Sequence, residues 1–179
     1  MTATDPAQER PDFLTFPDLA VRQATRMVPG LDVEAMSLVM LLHRVASALV
    51  YDLESAVHRP AGWSWSGFRL LFVLWISGPL DGKTAATLSG MSRAAVSNLV
   101  NTLERDGLVH RDPHPDDARA VLLRLSERGA AAVEEAFRSH NDREAAWVST
   151  LDRQDRAALV RLLGELAAGA HRPWVNRRT

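Results

Sequence analysis

The chain has 179 residues, 46% of them hydrophobic, which suits one domain, alone or with a helical appendage, with a real core; wholesale disorder is excluded. Its 21 basic residues nearly cancel its 22 acidic ones, so a net charge of −1 announces no partner. There is no cysteine, which excludes disulfides, Cys-ligated zinc and thiol redox sensing.

The N-terminal stretch MTATDPAQERPDF has neither a basic n-region nor an apolar h-region, so no signal peptide is expected. The longest strongly apolar run, LLFVLWI at 70–76, falls far short of the roughly 20 residues that cross a bilayer. A cytoplasmic protein without membrane contact is the expectation. Residues 1–17 carry Pro6, Pro11 and Pro17 and read as an arm; 18–28 form a short helix that stops before Pro29-Gly30. Asp32 is an N-cap for a long helix over 33–58. Its apolar residues Leu38, Val39, Leu42, Val45, Ala46, Leu49 and Leu53 follow the 3.6 period, and Met36, Met40, Leu41 and Val50 widen the stripe. Such a helix is either the central core helix of its own chain or one shared with a second subunit.

Pro60-Ala61-Gly62 breaks it, and Ser64 or Ser66 caps a helix over 66–77 that Ser77-Gly78-Pro79 ends. A short helix follows at 82–89, with a short extended piece near residue 80. Ser92 caps the next helix, 92–106, and Asp106-Gly107 stops it in the manner of a left-handed C-cap. Strand is confined to a hairpin within 108–125, with its tip at Pro113-His114-Pro115-Asp116-Asp117. Ser126 caps an Ala-rich helix over 127–149, and Asp152 caps the last, 153–169, with Leu159, Leu162, Leu163 and Leu166 on one face.

The helix at 92–106 has two unlike sides. Val96, Leu99, Val100 and Leu103 form the apolar half; Arg93, Ala94, Ser97, Asn98, Asn101 and Arg105 form the other. Short polar side chains on an exposed face can approach base edges in a major groove, and Asn can bond adenine in two-pronged fashion. The free amides at Ser92, with Arg93 beside them, can hold a phosphate. Beyond the hairpin tip, Asp117 and Arg119 share a strand face. Either Asp117 orients Arg119 into a narrow minor groove, or the two are an ordinary surface ion pair. Charge alone favours neither: residues 79–125 hold Lys83, Arg93, Arg105, Arg111, Arg119 and Arg124 against Asp81, Glu104, Asp106, Asp112, Asp116 and Asp117. DNA affinity then requires local placement of charge and two copies acting together.

The stretch PLDGKTAATLSGMSRAAVSNLVNTLERDGLVHRDPHPDDARAVLLRLSERG resembles the MarR family of winged helix-turn-helix regulators. The resemblance runs over 33–168. It is carried by Leu103-Glu104-Arg105-Asp106-Gly107-Leu108-Val109 and by Asp117-Ala118-Arg119 leading to Leu125-Ser126. It implies a mainly α fold with a small β wing, and a homodimer. The implied layout is an N-terminal arm with a short helix (1–31), a dimerisation helix (32–60), a winged helix-turn-helix lobe (61–125), C-terminal dimerisation helices (126–172) and a tail (173–179). It also implies Arg119 in the minor groove and a pseudo-palindromic double-stranded operator with half-sites about 10 base pairs apart. Ala94, Ala95 and Asn98 stand where the family often has Thr and Arg, so the operator is not read from the resemblance.

The same resemblance implies a small-molecule effector, often aromatic. Trp63, Trp65, Phe68 and Arg69 lie near the implied pocket, with His43 and Arg44 on the long helix and Trp147 on the penultimate one. Of these, His43, Trp63, Trp65 and Arg69 are candidates for an aromatic acid, against the plainer reading that they are packing. No cofactor or metal is expected: His110 and His114 have ligand-like spacing but straddle a strand and a Pro-flanked tip. Phosphate-loop, nucleophile-elbow, His-Glu-x-x-His and dinucleotide motifs are absent, so an enzyme is not expected. Two functions compete: a dimeric DNA-binding regulator, more specifically a repressor released by a ligand, and a winged-helix adaptor that docks proteins without specific DNA binding.

Overall fold

Oxygen-bearing side chains set the helix starts. A computed structural model describes residues 11–113 and 121–170. In it, Asp32 Oδ1 accepts from Ala35 N at 2.9 Å, Ser64 Oγ from Gly67 N at 3.1 Å and Ser92 Oγ from Ala95 N at 3.2 Å. Ser126 Oγ accepts from Gly129 N and Asp152 Oδ1 from Asp155 N, both at 2.8 Å. Each satisfies an amide that the first helical turn leaves without a partner. The helices are α1 (Phe16–Met27), α2 (Val33–Leu53), α3 (Trp65–Ser77), α4 (Gly82–Ser89), α5 (Arg93–Arg105), α6 (Glu127–Trp147) and α7 (Arg153–Gly169). Strands β1 (Leu80–Asp81), β2 (Val109–Pro113) and β3 (Val121–Leu125) complete a mainly α fold with a small β wing.

Two compact units divide the chain, Met1–Asp52 and Leu53–Thr179. In the first, α1 starts two residues earlier than expected. Pro17 suits the first turn, where its missing N–H is not needed, and Asp12 Oδ1 accepts from Leu14 N and Thr15 N just upstream. The Arg44 guanidinium stacks on Phe13 and Phe16, 4.5 and 4.9 Å from their centroids, and donates to the Phe13 carbonyl.

Leu53 is the one residue of α2 that is buried. Leu38 and Val39 are 58% and 61% exposed, and Leu41, Leu42 and Val45 are exposed as well. The reading of α2 as a core helix within its own chain is therefore corrected: among the described residues its apolar stripe is largely exposed. The helical run Val33–His58, of mean hydropathy 1.6, is long and apolar enough by length and composition to cross a bilayer. His43 and Arg44 interrupt it, so it contains no uninterrupted apolar run of that length. Arg44 would stand near the bilayer centre, where a charge is costly.

In the second unit a π turn, Glu54–His58, follows α2, with Arg59 N donating to Glu54 O at 2.9 Å and Trp63 N to His58 O at 2.8 Å. Helix α3 packs against α4, α5, α6 and β3, and its Leu70 and Leu71 are fully buried. Ala85 and Ala86 are the buried face of α4; Val96, Val100 and Leu103 are that of α5. The antiparallel sheet has the order β1-β3-β2, with Leu80 opposite Leu123 and Arg111 also opposite Leu123. The predicted extended piece at residue 80 is therefore the third strand.

Helix α6 is fastened to the α5–β2 turn. Ser126 Oγ donates to Gly107 O at 2.8 Å, Ser126 N donates to Leu108 O at 2.9 Å, and Gly107 holds φ +68°. A side chain on Gly129 would place its Cβ 2.1 Å from Leu108 O, so only glycine allows this approach. Helix α6 ends at Trp147, before the expected 149, as the chain leaves helical geometry at Val148. Helix α7 buries no residue: Leu159, Leu162, Leu163 and Leu166 are 39–50% exposed.

Candidate nucleic-acid interface

Helix α5 separates its two kinds of side chain as its sequence predicts. Val96, Val100 and Leu103 are each at most 3% exposed in the core. Ser92, Arg93, Ala94, Ser97, Asn98, Asn101 and Arg105 are all exposed. With α4 before it, α5 forms a helix-turn-helix, joined through Gly90 at φ +64°.

Charge neutrality over this region conceals an uneven distribution. Asp81 caps α4, accepting from Lys83 N and Thr84 N at 2.8 and 2.9 Å and from the Thr84 hydroxyl at 2.6 Å. The Thr84 hydroxyl and amide hold its carboxyl below the usual range. Glu104 pairs with Arg111, Asp112 with Arg124 at 2.7 Å, and Asp106 with Arg105 at 3.5 Å. The hydrogen bond from Arg124 lowers the Asp112 carboxyl in turn. Each described carboxylate in the lobe thus has a partner or a cap.

What remains is positive. A groove of about 970 Å³ between α3, α4 and the start of α5 is lined by Arg69, Lys83 and Arg93, with Ser92, Thr87 and Ser66. Among its described lining residues none is a carboxylate, and none of the three cations has an ion-pair partner among the described residues. Gly90 makes room for one of them: Arg69 Nη2 lies 3.0 Å from where a Cβ would stand. Three cations beside a helix N-terminus suit a phosphate chain.

Arg69 consequently lines the cationic groove, and within the second unit Trp63, Trp65 and Arg69 do not line a common cavity among the described residues. Trp63 is 8% exposed, in the core, and lines a depression of about 390 Å³ with Val57, Ala132 and Ala136. Trp65 stacks on His58, centroids 5.4 Å apart. His43 is exposed on α2, in the other unit. Trp63 precedes α3, whereas Trp65 and Arg69 are one turn apart on it; the Trp65 ring turns back onto His58 while the Arg69 guanidinium extends toward Gly90. Asp117 and Arg119 lie outside the described residues, as does His114.

Sequence reasoning missed Arg69 and Lys83 as groove residues, because both are remote from α5 in the chain. It also missed Arg111, which reaches from β2 to α5 and donates from Nη2 to Asn101 Oδ1 at 2.6 Å. A third omission is the buried pair His58 and His140, 82 residues apart, whose Nε2 and Nδ1 are 3.0 Å apart. His140 Nε2 is 3.1 Å from Glu144 Oε1. A carboxylate only accepts, so His140 Nε2 carries the hydrogen, its Nδ1 accepts, and His58 donates from Nε2. The His58 Nδ1 lone pair is then buried without a partner. Burial first, and His140 second, push His58 down from 6.5 to about 4. Among the described residues no three potential metal ligands cluster.

A helix-turn-helix completed by a three-stranded wing, with a cationic groove at the N-terminus of its second helix, defines a winged helix-turn-helix protein. The MarR family's sequence model matches residues 63–121. Over 144 residues the chain is 30% identical to the uncharacterized HTH-type transcriptional regulator YwaE of Bacillus subtilis (strain 168), spanning 80% of this chain and 84% of YwaE. The chain belongs to the MarR family. Its fold matches that of Sco3205, a MarR family transcriptional regulator from Streptomyces coelicolor solved in complex with DNA. The TM-score is 0.73 at 22% identity, over 84% of this chain and 96% of that one. It also resembles NadR, solved in complex with 4-hydroxyphenylacetate: TM-score 0.61, 28% identity, 70% of this chain and 89% of NadR.

Proposed function

We propose that this chain is a homodimeric, sequence-specific DNA-binding transcriptional regulator of the cytoplasm, a repressor released from its operator by a small aromatic ligand. The observation that carries the reading is the distribution of charge: the lobe's described carboxylates are each paired or capping, while Arg69, Lys83 and Arg93, without ion pairs among the described residues, line one groove beside the exposed polar half of α5. The three cations hold phosphates and set the register; Ser97 and Asn98 reach base edges. Asn98 suits this role because its amide has no hydrogen-bond partner among the described residues. Arg119, oriented by Asp117, enters the adjacent minor groove.

Dimerisation is supported by the uncovered apolar faces of α2 and α7, which belong to the assigned dimerisation segments 32–60 and 126–172. Two lobes on a two-fold axis read a pseudo-palindrome with half-sites about 10 base pairs apart. A dimer seated across a promoter denies that stretch to polymerase, which is repression by occupancy. The effector reading is supported by the likeness to NadR, a protein solved with a phenolic acid. Of the aromatic candidates, Trp63 has a ring-sized apolar depression beside it. A ligand releases DNA only through its differential affinity for a lobe spacing that misses adjacent grooves.

The test is binding to the gene's own upstream DNA by fluorescence anisotropy, with Arg119→Ala and Asn98→Ala beside the parent. The reading expects tight, salt-sensitive binding to one inverted repeat and strong loss with Arg119→Ala. Equal binding by all three proteins, or none by the parent, overturns it and favours the adaptor.

A further inference from the structure

The contact between Arg111 and Asn101 constrains what α5 can read. A guanidinium has only N–H groups to offer, so the atom of Asn101 that meets Arg111 Nη2 at 2.6 Å is the carbonyl oxygen. The amide orientation follows from chemistry: reversed, two donors would face each other. Arg111 is itself held, since its other amino group donates to Glu104, one turn along α5 from Asn101. It also packs beside Ser97 and Val100 in the cleft between α5 and the wing. Its position on β2, opposite Leu123 in the sheet, makes it a fixed point of the wing and not a free surface arm.

Two-pronged adenine recognition by Asn needs Oδ1 to accept from N6 while Nδ2 donates to N7. Here Oδ1 already accepts from a cation, and two donors on one oxygen weaken each other. The nearby positive charge also favours a base edge made of acceptors over one bearing an amino group. What Asn101 offers is therefore the Nδ2 group with its two N–H bonds. Guanine presents N7 and O6, two acceptors side by side, in the major groove.

Resting on the reading of the chain as a DNA-binding regulator, we propose that Arg111 is a specificity-setting residue: by holding Asn101 Oδ1 it makes Asn101 a donor that selects guanine over adenine at one position of each half-site. Arg111 acts through Asn101 and need not touch the base. Asn98, with no such constraint among the described residues, remains free to read adenine.

The test is relative affinity for operators carrying every single-base substitution, measured by competition binding on the full-length protein. The parent should show one guanine in each half-site preferred over adenine by roughly tenfold or more. Arg111→Met keeps the aliphatic stem and removes the donors; it should shift that position, and no other, toward adenine. In an Asn101→Ala background the position should have no preference, and adding Arg111→Met should change nothing further. Asn101→Asp keeps the partner for Arg111 and so the fold, but has no donor; it should lose guanine and gain cytosine, whose N4 donates. If Arg111→Met weakens all operators alike with the base profile unchanged, or if Asn101→Asp keeps the guanine, the inference is overturned. A parent that binds no operator specifically overturns the regulator reading first, which is a separate result.

Discussion

Acidification should weaken the fold through His58, and the size of the effect follows from its surroundings. The ring is fully buried, stacked on Phe68 at 4.1 Å and Trp65 at 5.4 Å, with His140 and then Glu144 beyond its Nε2 and the Glu54–Arg59 pair nearby. Burial first, and His140 second, lower its pKa from 6.5 to about 4 on folding, and a proton on Nδ1 would find no acceptor among the described residues. The sign follows. Above 6.5 the ring is neutral in both states and the stability is complete. Below 6.5 the unfolded chain takes up a proton that the folded chain refuses, so stability falls as pH falls, and the loss levels off near 4. At about 1.4 kcal/mol per pH unit the limit is about 3 kcal/mol, a large part of a domain's 5–15 kcal/mol. The carboxyls Asp12, Asp81 and Asp112 are also lowered on folding, so their contribution to stability is lost toward the acid end of this range, in the parent and in His58→Phe alike. Urea unfolding at pH 7.5, 6, 5 and 4.5, at one fixed protein concentration because any self-association would make stability depend on it, reads the slope. His58→Phe preserves the stacking and removes the titration; its curve should be flatter by most of that amount. Parallel pH profiles for the parent and His58→Phe would refute the reasoning.

Gly129→Ala should destabilise by about 3 kcal/mol or more, since the new Cβ meets the Leu108 carbonyl at 2.1 Å; thermal unfolding with circular dichroism reads it. Ser126→Ala removes both the α6 cap and the bond to Gly107 O and should cost about 1–2 kcal/mol in the same assay. Arg93→Ala or Lys83→Ala should weaken all DNA sequences alike and reduce the slope of log K against log salt by about 1 for each phosphate no longer neutralised, two in a dimer. Leu162→Glu with Val39→Glu, on the exposed stripes of α7 and α2, should yield monomers in light scattering while each chain keeps its helical content.

Much of the architecture was legible because its signals are local. Caps at Asp32, Ser92, Ser126 and Asp152 act within three residues, and the two sides of α5 are written in a single period. The short strand at Leu80 was visible only as a hint, since its partner Leu123 is 43 positions away and pairing has no local trace. The groove was hidden for the same reason: Arg69, Lys83 and Arg93 come from three helices, and counting charges along the chain returned neutrality. Pairing of His58 with His140 likewise follows from how α6 crosses the π turn, and neither histidine sits in a telling motif. Arg69 reads as a neighbour of the tryptophans because it is close to them in sequence; that its guanidinium lies against Gly90 depends on how α3 packs on the α4–α5 turn.

Neutrality itself bears on why such a lobe needs a twin. If its three groove cations each neutralise one phosphate, a single lobe has a salt slope of about −2.7, typical of weak and indiscriminate contact. In the proposed dimer, two lobes would neutralise about six phosphates, for a slope of about −5.4, and would convert the second lobe's binding into an intramolecular event. Base contacts of the kind proposed for Asn98 would then decide between sites that electrostatics alone would treat alike. The paired carboxylates serve the same end: Glu104 and Asp112 fix the arginines around the reading helix while limiting attraction to arbitrary DNA, so specificity is gained by withholding charge as much as by placing it.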